Sequence, residues 1–407
     1  MKKTKKLLAL SVSLVMTAAI FTGCSADGLS LFTAFGKTNT INSMQSKTDM
    51  SLKVSGVNMS AQEEEMMGAV LPMINGTKMS VLTKTIQNED KTIAKMQSDI
   101  ALNLTQMPEP INMSMWVDVD STGDEPVVNE VFKMPQLLTA QFPKELQGKD
   151  YMVMNIADMT SVPGTPQVNY EKLMSFSKEF QPEFLDFMVK YAKQFNPATD
   201  YIKHVGSQTF TEHNVKKSTD TYEIKLTDKS FKDLMHYTLN NLAENTDAMN
   251  FVQKYMTSVM SIYDVTDAEN KNVQDEMNNA FGNLATDLPK ALLSLDKSLD
   301  SIEDLKILGD NGIKIRYTVN ENGYIIKEKG NAEFVIDLPG IIKLAGNAET
   351  VSNPSYPTGI YTISLDFDTD ITNINGDVDI EFPSVNSTNS FNYNDILKMI
   401  PATVPVK

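Results

Sequence analysis

The chain has 407 residues, with 36 Lys plus Arg against 52 Asp plus Glu, a formal charge of −16. A hydrophobic content of 41% with 22% charged residues is that of a globular protein and excludes general disorder; the length suits two to three ordinary domains or one large β-rich domain with insertions. The single cysteine excludes an internal disulfide and a Cys-based zinc site, and the acidic balance excludes the basic patch that nucleic acid requires.

Lys2, Lys3, Lys5 and Lys6 precede an apolar run from Leu7 to Ile20, which reads as a charged n-region and an h-region shorter than a stable membrane span. The run ends in Phe21-Thr22-Gly23-Cys24, which resembles the lipobox of bacterial lipoprotein signal peptides, with Phe21 where that family usually has an aliphatic residue. The resemblance implies cleavage between Gly23 and Cys24 and a Cys24 that carries diacylglycerol and palmitate-type chains. It also implies anchoring to the cell membrane on its extracytoplasmic face. Loss of residues 1–23 removes four lysines and no acid, leaving a formal charge of −20. A body this acidic is repelled by anionic lipid, so attachment rests on the acyl chains, two or more of which give stable anchoring. Arg316 is the only arginine and Asn is common, a bias of AT-rich genomes that points toward a Gram-positive source.

Residues 24–40 read as the lipidated cysteine and a tether, running into a short amphipathic helix with Leu31, Phe32, Phe35 and Met44 as its apolar residues. Met50, Leu52 and Val54 then alternate with polar neighbours, as a half-buried strand does. A helix is expected over Ala61 to Ile74, with Glu63, Glu64 and Glu65 in its first turns and Asn75-Gly76 as its stop. Period two returns in Met79 and Val81, in Ala94, Met96, Ser98, Ile100 and Leu102, and in Ile111, Met113, Met115, Val117 and Val119. Val128 and Phe132, then Met152 and Met154, continue it. Phe176, Phe180, Phe184, Phe187, Tyr191 and Phe195 recur at helical spacing, interrupted at Pro182, which predicts a helical pair. Strands are expected over His204 to Leu226, then a helix N-capped by Asp228, then helices near 249–263, 272–281 and 288–299. Ile313 to Val319 and Tyr324 to Val335 flank Asn320-Glu321-Asn322-Gly323, a hairpin signal. Tyr361 to Ile374 and Val378 to Phe382 predict two more strands, and Tyr393 to Ile400 a closing helix.

Strands joined by short turns pair antiparallel, and one apolar face implies a sheet that covers a core on one side. The fold class is therefore α+β: a large, curved, half-barrel-like antiparallel sheet, with helices inserted between two β portions and packed on its concave face. Residues 41–407 read as a single domain with a helical insertion near 169–300. This order of elements resembles the half-barrel lipoprotein carriers of the Lol type and the mycobacterial lipid-carrier lipoproteins. Met115-Trp116-Val117-Asp118, Lys149-Asp150-Tyr151-Met152-Val153-Met154, Tyr222-Glu223-Ile224-Lys225-Leu226 and Tyr361-Thr362-Ile363-Ser364-Leu365-Asp366 resemble stretches of Gram-positive surface lipoproteins. The resemblance implies a fold, an envelope location and ligand carriage, and carries over no catalytic residue.

The residues themselves point to no enzyme and no cofactor. His204, His213 and His236 stand in no metal-ligand spacing, and no nucleophile elbow, phosphate loop or dinucleotide fingerprint occurs. Asp118-x-Asp120-x-Thr122-Gly123 imitates half of an EF-hand loop, but Asn129 stands where a bidentate Glu is needed, so it reads as a turn. Asp366, Asp368 and Asp370 share one strand face, where they either chelate calcium or guard a wet surface. Methionine is abundant at 25 residues, many at inward strand positions. Unbranched, polarizable Met makes adaptable apolar surfaces, so Met96, Ile100, Met113, Met115, Met152 and Met154 are candidates to line a site for a lipid or other amphiphile. The alternative is a filled core in a structural or interaction lipoprotein of the envelope. A monomer, with the membrane as its partner through the anchor, is expected.

Overall fold

The structure, a computed structural model, describes residues 25–105, 107–123, 127–140, 142–155, 170–212, 215–261, 284–344 and 357–399. In chain order its elements are α1 (Ala26–Thr38), β1 (Ser43–Val57), α2 (Ala61–Ile74), β2 (Lys78–Gln87), β3 (Ile93–Asn103), β4 (Ile111–Asp120) and β5 (Val127–Lys133). There follow α3 (Gln136–Thr139), β6 (Tyr151–Asn155), α4 (Tyr170–Gln194), β7 (Ile202–Glu212), β8 (Val215–Leu226), α5 (Asp228–Glu244), α6 (Thr246–Ser261) and α7 (Leu284–Asp300). The last are β9 (Leu308–Asn320), β10 (Ile325–Asp337), α8 (Leu338–Leu344), β11 (Ile360–Thr372), β12 (Ser390–Asn392) and α9 (Tyr393–Met399).

The strands form one open, curved sheet in the order β12-β6-β5-β4-β3-β2-β1-β11-β10-β9-β8-β7, and the fold is α+β. Every pairing is antiparallel except β12 with β6. β1 is the joint: β2 pairs on one side of it and β11 on the other, so the first and last thirds of the chain share a strand. Between β11 and β12 the chain crosses the polar face. Lys84 Nζ donates to the Asp379 carbonyl at 2.8 Å, and Lys95 Nζ lies 5.7 Å from the Phe382 ring centroid. Val378 to Phe382, expected as a strand, is irregular and belongs to this crossing.

Because directly paired residues point to the same side, the registers sort every side chain. One face carries Leu226, Ile224 and Tyr222 of β8, Ile313, Ile315 and Tyr317 of β9, and Ile363, Leu365 and Phe367 of β11. It continues through Met50, Met79, Leu102 and Ile111, one row across β1 to β4. The opposite face is polar except at the β4–β6 end, where Trp116, Val131, Tyr151 and Val153 lie on it.

The buried core lies at the β7–β10 end of the apolar face. Leu31 of α1, Tyr191 of α4, Leu239 of α5, Val252 of α6 and Leu292 of α7 close over Ile202, Ile224, Leu308 and Ile325. On α4 the aromatic residues at steps of three and four form a ladder against α6, with Phe187 and Phe251 stacked at a centroid distance of 4.4 Å. The expected helical pair is instead the single helix α4, which runs through Pro182. The expected tether is also helical from its start: Ser25 N-caps α1, its Oγ accepting from Gly28 N at 3.0 Å, and Leu31 is fully buried. Met44 belongs to β1, and the helix expected near 272–281 lies outside the described residues. The inserted region is not purely helical, since β7 and β8 extend the sheet to its far edge.

Two turns depend on glycine. The β9–β10 hairpin closes with Gly323 N donating to the Asn320 carbonyl at 2.9 Å and Gly323 at φ 80°, and the register shifts by one just after it. This is a type I turn with a glycine bulge. Gly309 to Gly312 form a bulge inside β9; Gly312 has φ 61°, and a Cβ there would lie 2.1 Å from the Leu226 carbonyl oxygen.

The N-cap of α5 is Thr227, with Ser230 completing the cap, and not Asp228. Asp228 Oδ1 instead accepts from Ile307 N and Leu308 N at 2.7 and 2.8 Å, while its Oδ2 lies 2.8 Å from Lys232 Nζ. Lys232 also donates to the Glu303 and Leu305 carbonyls, so one buried ion pair stitches the helical layer to the start of β9.

Glu63 does the same for α2. It completes a capping box with Ser60, and then accepts from Thr358 N (2.9 Å), Gly359 N (3.1 Å) and the Tyr361 hydroxyl (2.8 Å) at the start of β11. Burial alone would raise its pKa, but these donors outweigh burial and hold it at about 2 against an ordinary 4.5.

Gly312→Ala is expected to cost about 1–3 kcal/mol, read as a lower urea midpoint at unchanged slope. Glu63→Gln is expected to cost about 2 kcal/mol at neutral pH. Since the folded pKa lies below the unfolded one, the Glu63 contribution is complete above about pH 4.5 and vanishes as pH falls through about 2. Urea unfolding of both proteins across that range should show the difference closing toward acid.

Candidate functional site: the half-open methionine face

The strand alternation of β1 to β6 sends Met and aliphatic side chains to the apolar face. Ile100 pairs with Met113, Met96 with Val117, and Met115 with Phe132, which pairs in turn with Met152. Met154 lies opposite Glu130. All six candidate lining residues therefore share one face, and each is half-buried. None of them belongs to the core cluster beneath the helices or packs against it.

The helices expected to pack on the concave face cover only part of it: those that bury the core sit over β7–β10, where the space is filled with side chains. The Met-lined half is a separate surface, to which Met50, Met79 and Phe367 add one apolar row across β1, β2 and β11.

A polar belt crosses this face. Thr48 and Thr369 share a hydrogen bond at 2.9 Å, and Thr83 and Ser98 share another at 3.0 Å. In line with the first pair, on β10, lies Glu328, flanked by Tyr317 of β9 and Thr369 of β11. Tyr317 is buried and meets Phe35 of α1 edge-on at 5.0 Å, so Glu328 stands where the helix layer ends and the open half begins. Burial raises the Glu328 pKa, and among the described residues it has no hydrogen-bond or ion-pair partner. The sequence reading missed Glu328 because the bulge after Gly323 shifts the phase of β10. Counting from the bulge, Glu328 falls in step with Gly330, Ala332 and Phe334, and that is the signal that finds it.

The polar face is chemically different. Asp368 lies 2.7 Å from Lys327 and 3.0 Å from Lys329, and Asp370 lies 2.7 Å from Lys327. Lys327, then Lys329, holds Asp368 below the usual carboxylate range. Lys329 and Asp368 border an open groove of about 580 Å³ with Asp49, Lys78 and Asp366. Lysine ammonium groups pair with Asp368 and Asp370, and among the described residues no cluster of His, Cys, Asp or Glu is placed to hold a metal. Asp120 accepts from Thr122 N and Oγ1 at 3.0 and 2.6 Å, as in a turn. His204 meets Asp220 at 3.1 Å and His236 meets Asp296 at 2.6 Å, on different elements, and His213 lies outside the described residues.

Gly23 and Cys24 also lie outside the described residues, which begin at the Ser25 cap of α1. Among the described residues no helix is long and apolar enough to cross a membrane. No protein-family model, curated protein or solved structure matches the chain.

Replacing Met113 by Asp puts a charge opposite Ile100 on the apolar face, but on a half-open surface. The expected loss of stability is about 1 kcal/mol, against 2–5 kcal/mol for truncating a buried Leu such as Leu239 to Ala. Thermal melts of the two variants should separate clearly.

Proposed function

We propose that the protein is a non-catalytic lipoprotein, anchored through Cys24 on the extracytoplasmic side of the cell membrane, that binds a lipid or other amphiphile on its Met-lined face. The observation that carries the binding reading is the division of one continuous apolar face into a filled half and a half-open one. A purely structural sheet gains stability by covering its apolar side, at roughly 25 cal/mol per Å². The half from β1 to β6 leaves its methionines half-buried, and Met is the side chain that re-packs most readily around varied chains. The resemblance in element order to half-barrel lipid carriers supports the same reading.

The anchor reading rests on the lipobox-like Phe21-Thr22-Gly23-Cys24 and on the charge of −20 left after cleavage, which gives the body no electrostatic hold on anionic lipid. The filled core under the helices favours the second reading, an envelope protein that acts by its surface alone, for that half of the molecule.

Cys24→Ala should abolish incorporation of labelled palmitate and release the protein from the membrane fraction. Residues 25–407 purified without detergent should carry a co-purifying lipid in native mass spectra. Protein that arrives ligand-free and also ignores offered lipids would leave only the structural reading.

A further inference from the structure

We propose that Glu328 is the head-group contact of the Met-lined face, and that the ligand is an amphiphile with a cationic, amine-type head. This rests on the amphiphile-binding reading and narrows it to one class.

The argument is one of charge bookkeeping on a single face. Across β1 to β6 and β9 to β11 the registers place no lysine or arginine on the apolar face, and on β8 only Lys216, opposite Thr211 near the far end of the strand and six residues from Tyr222, lies on that side; the ionisable acids of the face are Asp220, Glu130 and Glu328. Asp220 is satisfied by His204 and by the Ser207 hydroxyl at 2.6 Å. Glu130 lies near the far edge, six strands from Glu328 in the sheet order. Glu328 is central, and its neighbours in the sequence, Lys327 and Lys329, point to the other face and are engaged by Asp368 and Asp370. A carboxylate taken partly out of water with neither counter-charge nor donor is unfavourable, and the ordinary remedies are protonation or a partner. The raised pKa of Glu328 reflects that situation.

Its position suits a partner supplied from outside. Apolar side chains of β1, β2 and β11 lead from the Met-lined strands toward it, and Thr48 and Thr369 make the last row polar. α1 closes the way beyond, through Phe35 on Tyr317 and through Ile325 N donating to Thr38 Oγ1 at 3.0 Å. A chain lying over the methionines would thus end at a carboxylate backed by a helix. An ammonium head there gains a charge-assisted hydrogen bond, whereas a fatty-acid carboxylate would meet like charge.

The test is calorimetric titration of residues 25–407 with n-decylamine, n-decanoate and 1-decanol, each below its aggregation concentration. Decylamine is expected to bind about tenfold or more tighter than decanoate, with decanol between them. Glu328→Gln should bring the three within about twofold, Glu328→Met should do the same while keeping an apolar site should the amide fold poorly, and Glu130→Gln should preserve the preference. If all three probes bind equally to the unaltered chain, the amphiphile reading stands and the role of Glu328 is overturned. A preference that survives Glu328→Gln belongs to the general acidic field and overturns it too. If no probe binds, the amphiphile reading itself fails.

Discussion

The pairing of β1 with β11 is the constraint on which the rest of the molecule depends. It runs unbroken from Gln45 opposite Thr372 to Val57 opposite Ile360, and among the described residues it is the only place where the β1–β6 portion meets the β7–β11 portion in the sheet. A slip of one residue would either send Met50, Leu52 and Val54 to the polar side or bring Asp366, Asp368 and Asp370 inward, so the cost of a wrong register is large. The Thr48–Thr369 hydrogen bond and the Glu63 network at the start of β11 pin the register at the middle and at one end.

Given that register, the helices decide what each part of the apolar face is for. α1 and α4 to α7 cover β7–β10 with Leu and aromatic side chains, each worth about 1.5–3 kcal/mol when fully buried. This end therefore holds most of the stabilising burial and can support a less covered surface elsewhere. The β1–β6 end keeps order by other means: continuous strand pairing, the crossing of the polar face through Asp379 and Phe382, and Trp116 buried beside Tyr151 on that same side. Stability and an accessible apolar surface are thus separated along one sheet.

Most of the strand content was legible because period two is a strong signal in Met113-x-Met115, Ile313-x-Ile315 and Ile363-x-Leu365, and the α+β class follows from it. The six lining candidates fell on one face for the same reason. What was not legible depends on tertiary partners. Pro182 reads as a break, yet α4 continues because its aromatic ladder packs against α6 on both sides of the proline. Ser390–Asn392 is too short to register as a strand without β6 beside it. Asp228 looks like a cap from its position before an apolar pattern, but Thr227 takes that role once β9 offers Asp228 two amides. Glu328 was hidden by a bulge, which no period count foresees.

The first helix ties these strands of argument together. Ser25 caps α1 one residue after Cys24, so the sequence leaves no flexible spacer between the proposed lipid and the folded body. In the first turn Asp27 sits where the helix dipole favours a carboxylate, and its Oδ2 accepts from His204 N of β7 at 2.8 Å. β7 is an edge strand, and edge amides invite pairing with other chains. The same helix that would follow the acylated cysteine therefore blocks part of the free edge, buries Leu31 in the core, and brings Phe35 to Tyr317 beside Glu328. With the proposed lipid on Cys24, this arrangement would hold the body at a fixed short distance from the bilayer, and a change in how α1 seats on β9 and β10 would alter the closed end of the Met-lined face directly.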